Sequence, residues 1–257
     1  MNLIKSLTTC ILLTLFCLSA QAQRFNINYI NSKLSNTDLT YLNQIGQFEA
    51  KFYNIVFNTT ANDTLPIRIN LYGKQADYIW MQISAMHTTF IDGFYSPESN
   101  QMFLYKSDRY MEIMIHESSH NMLENNLRNS PRWLDEGIAT LFGYLVVRTD
   151  GIFYVKQYRY IKMVKDNIYR GTFSLQDYFR YPIDNWYDEE KRDYMYGVGY
   201  SLVYFFVKDD IENLQHILTL MQYGHNTTDA ITMVFGSFDR FEKRFRDFYK
   251  PEVGYRL

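Results

Sequence analysis

The chain has 257 residues, 47% of them hydrophobic and 21% charged, a globular composition that excludes a disordered tail or a collagen-like repeat. Aromatic residues reach 18%, with 23 Tyr and 19 Phe, enough bulky side chains for a substantial core. With 26 Lys and Arg against 28 Asp and Glu, the chain lacks the basic excess that phosphate binding needs, which excludes nucleic acid as its main partner.

Residues 1–22 read as a secretory signal peptide. Lys5 is the only charge before Arg24, residues 11–18 form an apolar core, and Ala20-Gln21-Ala22 offers small residues for cleavage after Ala22. Thr8, Thr9, Thr14 and Gln21 leave the continuous apolar run too short to span a bilayer. The mature protein is therefore expected to be secreted or periplasmic, with no stable membrane insertion. Both cysteines, Cys10 and Cys17, fall in this segment. The mature chain then has neither disulfide nor thiolate ligand, and a metal site would have to use His and carboxylates.

Residues 23–257 read as a single domain, strand-rich over 23–107 and helical over 108–257. In the first part, helix is predicted at 38–57 and 74–81. Strands are predicted at 66–72, 88–91 and 101–105, punctuated by Gly73, Asp92-Gly93 and the turn residues 96–100. After Ser107 the hydrophobic period becomes helical. Ser107-Asp108 is expected to cap a helix running to about Leu127, and Ser130-Pro131 to open the next with a hydroxyl cap and proline at its first position. Helices are also predicted near 157–168, 191–207, 210–222 and 227–235. In the last helix Phe238, Phe241, Phe245 and Phe248 form a docked stripe, opposite a solvated face of mixed charge.

The segment His116-Glu117-Ser118-Ser119-His120 carries the chemistry. On a helix, positions i and i+4 lie about 40° apart around the axis, so both imidazoles point the same way, as two nitrogen ligands of one tetrahedral zinc must. Glu117, beside the first histidine, can reach a water next to the metal rather than the metal itself. Ile113, His116, His120, Leu123 and Leu127 share a face, which turns the histidines inward. A third ligand must come from elsewhere, and Glu136 is nominated. From His120 the helix advances about 10 Å to Leu127, the short connection forces an antiparallel return, and Pro131 to Glu136 climbs back roughly 8 Å. Neighbouring Asp135 is expected to cap the helix or sit in solvent, with support of a ligand as the alternative. His87, His216 and His225 have no ligand-spaced partner.

His116-Glu117-Ser118-Ser119-His120 followed by Trp133-Leu134-Asp135-Glu136-Gly137-Ile138-Ala139 resembles the gluzincin zinc metallopeptidases of the peptidase MA-like superfamily. These include thermolysin-like enzymes and the zinc aminopeptidases with their Trp-Leu-Asn-Glu-Gly-Phe-Ala segment. The resemblance implies one zinc ion held by His116, His120 and Glu136, with Glu117 as general base. Tyr194-Met195-Tyr196-Gly197 resembles the aminopeptidases' Tyr-x-x-Gly and implies Tyr194 as oxyanion donor, with Tyr196 as competitor. Gly197 and Gly199 read as close-packing points in the same helix. The interval from His120 to Glu136 is shorter than in either group, and no Gly-x-Met-Glu-Asn segment precedes the first helix. Compact, secreted members of the superfamily resemble the chain better.

The expected fold is α+β: a small N-terminal mixed sheet packed on a zinc-binding helix pair, then a mainly helical C-terminal lobe, in a minimal metzincin- or gluzincin-like layout. The expected function is zinc-dependent hydrolysis of peptide or protein substrates, laid along a sheet edge built from residues 90–95 or 101–105. A zinc amidase acting on cell-wall peptides and a non-catalytic peptide-binding module are the alternatives.

Overall fold

The computed structural model describes residues 24–86 and 92–250, apart from the Met86 side chain. The predicted signal peptide, the predicted strand at 88–91 and His87 lie outside the described residues. The fold is α+β, with a small mixed sheet and mostly helical content.

The sheet contains β1 (Phe25–Ile30), β2 (Ile67–Tyr72), β3 (Gly93–Ser96) and β4 (Gln101–Tyr105) in the order β1-β2-β4-β3. β1, β2 and β4 run parallel, and β3 pairs antiparallel with β4 at the edge. Alternation is clear in the central strands: Ile67, Ile69 and Leu71, and Met102 and Leu104, are buried on one face. The parallel crossovers demand helices. They are α1 (Asn36–Val56), opened by a capping box between Ser35 and Asp38, and α2 (Gln75–Met86). α1 and α2 fall where the sequence predicts helix, at 38–57 and 74–81.

Two helices follow the sheet, α3 (Tyr110–Asn126) and α4 (Arg132–Gly143). Neither start matches the predicted cap. α3 begins after Arg109 with no side-chain cap, and the Tyr110 N–H bonds the Ser107 carbonyl in a turn. At α4 Pro131 itself occupies the cap position in extended conformation, and its carbonyl accepts from the Leu134 and Asp135 amides. A hairpin absent from the sequence reading comes next, β5 (Leu145–Arg148) with β6 (Gly151–Tyr154). Then come α5 (Tyr158–Arg170), the short α6 (Leu175–Tyr178), a 3-10 turn at Ile183–Trp186, α7 (Arg192–Asp209), α8 (Ile211–Gln222), α9 (Thr227–Phe235) and α10 (Phe238–Tyr249).

α7 is the hub of the helical part, with residues 197–203, Phe205 and Phe206 all buried. Its approach to α4 is set by glycine. A Cβ on Gly137 would lie 2.6 Å from the Gly199 carbonyl oxygen, so the two backbones touch. On another side α10 docks Phe241 and Phe245, with the Phe206 and Phe241 rings stacked 5.7 Å apart. Lys243 and Asp247 pair on its exposed face, while Glu242 and Arg246 tie it to the backbone of Leu175 and Phe173. One continuous buried cluster runs from Phe25 to Tyr249. Among the described residues, no helix is long and apolar enough to cross a membrane.

Candidate metal centre

α3 buries polar residues on the side facing α1, and each finds a partner. Ser118 Oγ lies 2.6 Å from Glu49 Oε2 and 2.8 Å from the Ile115 carbonyl, and the Tyr53 hydroxyl lies 2.8 Å from Ser119 Oγ. Burial pushes the Glu49 carboxyl up to about 8, against Ser118 and Arg24. A protonated Glu49 can donate to Ser118 Oγ while Ser118 donates to Ile115. These contacts set the rotation of α3 about its axis and so aim its other face.

That other face carries the histidines. His116 Nε2 and His120 Nε2 are 3.2 Å apart, and Glu136 Oε2 lies 3.5 Å from the first and 3.8 Å from the second. The Glu136 carboxylate is buried, and its Oε2 atom has no hydrogen-bond partner. An ion bound tetrahedrally at ~2.0–2.1 Å spreads its ligand atoms ~3.3 Å apart. Two nitrogens facing each other beside an orphaned carboxylate oxygen, at nearly that spacing, are therefore what a cation site requires. The His116, His120 and Glu136 group lies close enough to hold one metal ion.

Neighbouring residues orient each ligand. Asp135 Oδ1 is 2.6 Å from His120 Nδ1, which corrects the reading of Asp135 as a cap or solvated acid. A Nδ1–H donated to Asp135 leaves the Nε2 lone pair free for a metal. Arg132 donates to Glu136 Oε1 at 3.0 Å and to the Tyr187 hydroxyl at 2.5 Å, so one carboxylate oxygen is tied down and the other faces the histidines. Burial opposes ionisation of Glu136, but the adjacent His116 imidazole and the charges of His120 and Arg132 prevail and hold it at about 2. Burial likewise favours a neutral His120, yet Asp135, Glu136 and Glu117 outweigh it and raise the imidazole to about 10. A proton and a cation thus compete for the same nitrogen.

Glu117 is buried but outside the ligand group. Burial pushes its carboxyl up, His120 and His116 pull it down, Glu136 adds to the rise, and the nearby Tyr95 backbone N–H favours the carboxylate. That amide belongs to β3. Because the Tyr105 amide bonds the Asp92 carbonyl, the two-residue period turns Phe94 and Ser96 towards β4 and the backbone groups of Gly93 and Tyr95 off the edge. β4, paired on both sides, is not an edge, so of the two segments expected to form one only that ending at Tyr95 qualifies.

Tyr194 is not brought to the metal ligands. Its ring packs against Tyr178 and Tyr181, 6.3 Å from each, and burial pushes its hydroxyl up to about 12. Tyr196, two residues on and so about 200° around α7, lies near Glu136 instead. Its hydroxyl is raised by burial, then by Glu136, with Arg132 opposing and Glu117 adding to the rise. Sequence reasoning missed Arg132, Tyr187 and Tyr95. The i, i+4 spacing of Arg132 and Glu136 was a usable signal for the first. No protein-family model matches this chain, and no curated protein matches it.

Proposed function

We propose that the protein is an exported zinc-dependent peptidase of the gluzincin type, its first 22 residues a cleaved signal peptide. The observation that carries this reading is the convergence of His116 Nε2, His120 Nε2 and Glu136 Oε2 at ligand spacing, with the buried carboxylate of Glu117 beside them. Two imidazoles and one carboxylate suit zinc, and the antiparallel edge strand next to the zinc helix supports the gluzincin layout. A zinc ion in this set would polarise a peptide carbonyl and make nearby water more acidic.

The chain's own groups do the rest. Glu117 accepts the proton of the attacking water and passes it to the departing amine. Its raised pKa favours the first of these transfers. Tyr196, near Glu136, takes the oxyanion role expected of Tyr194 and donates to the carbonyl oxygen as charge develops there. The outward backbone groups of Gly93 and the outward carbonyl of Tyr95 pair with an extended substrate, giving affinity with little sequence choice. Arg132 keeps Glu136 Oε2 aimed at the histidines.

Metal analysis of the purified protein, joined to digestion of a peptide library with and without chelator, tests the reading. One zinc per chain and chelator-sensitive cleavage are expected. Full cleavage in chelator, or a metal-free protein after zinc loading, overturns it.

A further inference from the structure

We infer that the hollow at the start of α4 receives a large aromatic side chain of the substrate, an inference that rests on the peptidase reading above. The hollow measures about 530 Å³, within the ~300–1,000 Å³ typical of ligand pockets. Three observations single it out.

The first is its continuity with the metal centre. Arg132 lines the hollow and donates to Glu136 at 3.0 Å. Trp186 also lines it, and its ring packs 5.4 Å from Tyr196, which lies near Glu136. One side chain thus separates the hollow from a metal ligand by either route. An extended chain advances ~3.3 Å per residue, so a peptide crossing the ligands reaches the hollow within about two or three residues.

The second is the lining. Trp133, Tyr178 and Phe179 form a cluster of rings, with Trp133 and Phe179 edge-to-face at 5.8 Å. Phe179 and the exposed Tyr181 offer ring surface to a further ring, backed by the buried rings of Trp133 and Tyr178. The charges on the rim are committed elsewhere, Arg132 to Glu136 and Tyr187, and Asp229 to the Asn226 side chain that caps α9. The Thr227 hydroxyl likewise accepts from Trp133 Nε1. The chemistry left facing the hollow selects an aromatic guest over a charged one.

The third is exposed apolar surface at the mouth. Tyr181 is 44% and Ile183 55% exposed on the segment between α6 and α7, although both could have been polar at no cost to packing. Tyr194 finds its place here: its contacts with Tyr178 and Tyr181 brace this wall.

The test uses the full mature chain carrying Glu117→Gln and a set of acetylated hexa-alanine amides in which one Phe is moved through the sequence. Calorimetry measures binding without turnover. A Phe at one position should tighten binding at least tenfold over the all-Ala peptide. Adding Thr228→Trp, an exposed lining residue, should abolish that gain, and adding Ile183→Ala should shrink it several-fold. Equal affinity for all peptides, or a Phe preference untouched by both lining variants, overturns the inference. If the Phe preference behaves as expected while the wild-type chain cleaves none of these peptides, the aromatic site stands and the peptidase reading falls.

Discussion

The contact of α7 with α10 and that of α3 with α4 join helices by opposite means. Between α7 and α10 the buried contact is made by the rings of Phe205, Phe206, Phe241 and Phe245, with the Arg244–Asp209 ion pair at its exposed margin. Between α3 and α4 the facing groups are His116, His120, Asp135 and Glu136, all titratable. The first interface is complete as it stands, and its strength is set by apolar area and shape. The second leaves a buried oxygen without a hydrogen bond and depends on protons or a cation to balance its charges. A protein selected for stability alone has no reason to build the second.

Breaking each interface should affect different observables. The largest effect is expected from Glu117→Gln, with kcat falling ~10²–10⁴-fold while zinc content stays at the wild-type level. Next, Phe241→Ala should cost about 3–5 kcal/mol in denaturant unfolding and leave zinc affinity unchanged. Asp135→Asn should weaken zinc binding about 10–100-fold in a chelator competition and lower metal-free stability near neutral pH, since it removes the charge that supports His120.

The pH response separates the two interfaces further. His120 is raised to about 10 in the metal-free fold, so its contribution to stability is complete below its ordinary value of 6.5 and is lost as pH rises through about 10. Glu136 is depressed to about 2, so its contribution is present above 4.5 and is lost as pH falls through about 2. Metal-free stability should therefore carry both terms in full between pH 4.5 and 6.5. Zinc must displace the His120 proton, so apparent affinity should rise about tenfold per pH unit through neutrality. A flat titration of affinity would show that His120 is already deprotonated. The smallest effect belongs to Tyr194→Phe, expected to change kcat by less than about twofold because that hydroxyl lies among tyrosines rather than at the ligands, whereas Tyr196→Phe should lower kcat by ~10-fold or more.

Much of the fold was legible because helical periodicity is local. The predicted helices at 210–222 and 227–235 agree closely with α8, Ile211–Gln222, and α9, Thr227–Phe235. The hairpin β5–β6 escaped notice because Leu145–Arg148 and Gly151–Tyr154 are too short for a period to declare itself. β1 was equally hidden. Phe25–Ile30 pairs with Ile67–Tyr72, far along the chain, and only that pairing makes it a strand. The caps at Ser107 and Ser130 failed for a different reason. A hydroxyl before a helical run permits a cap, but the packing of α3 and α4 determines where each helix starts.

For the site the division is sharper. Sequence by itself determined that His116 and His120 share a helix face and that Glu136 returns level with them, since both follow from the rise and turn of an α-helix and a short antiparallel connection. Only the tertiary structure decided that Asp135 turns to His120, that Arg132 holds Glu136, and that Tyr196 rather than Tyr194 meets the ligands. Each of these depends on the angle at which one helix meets another. The close approach of Gly137 and Gly199 helps to set that angle for α4 and α7, and a one-dimensional pattern does not encode it.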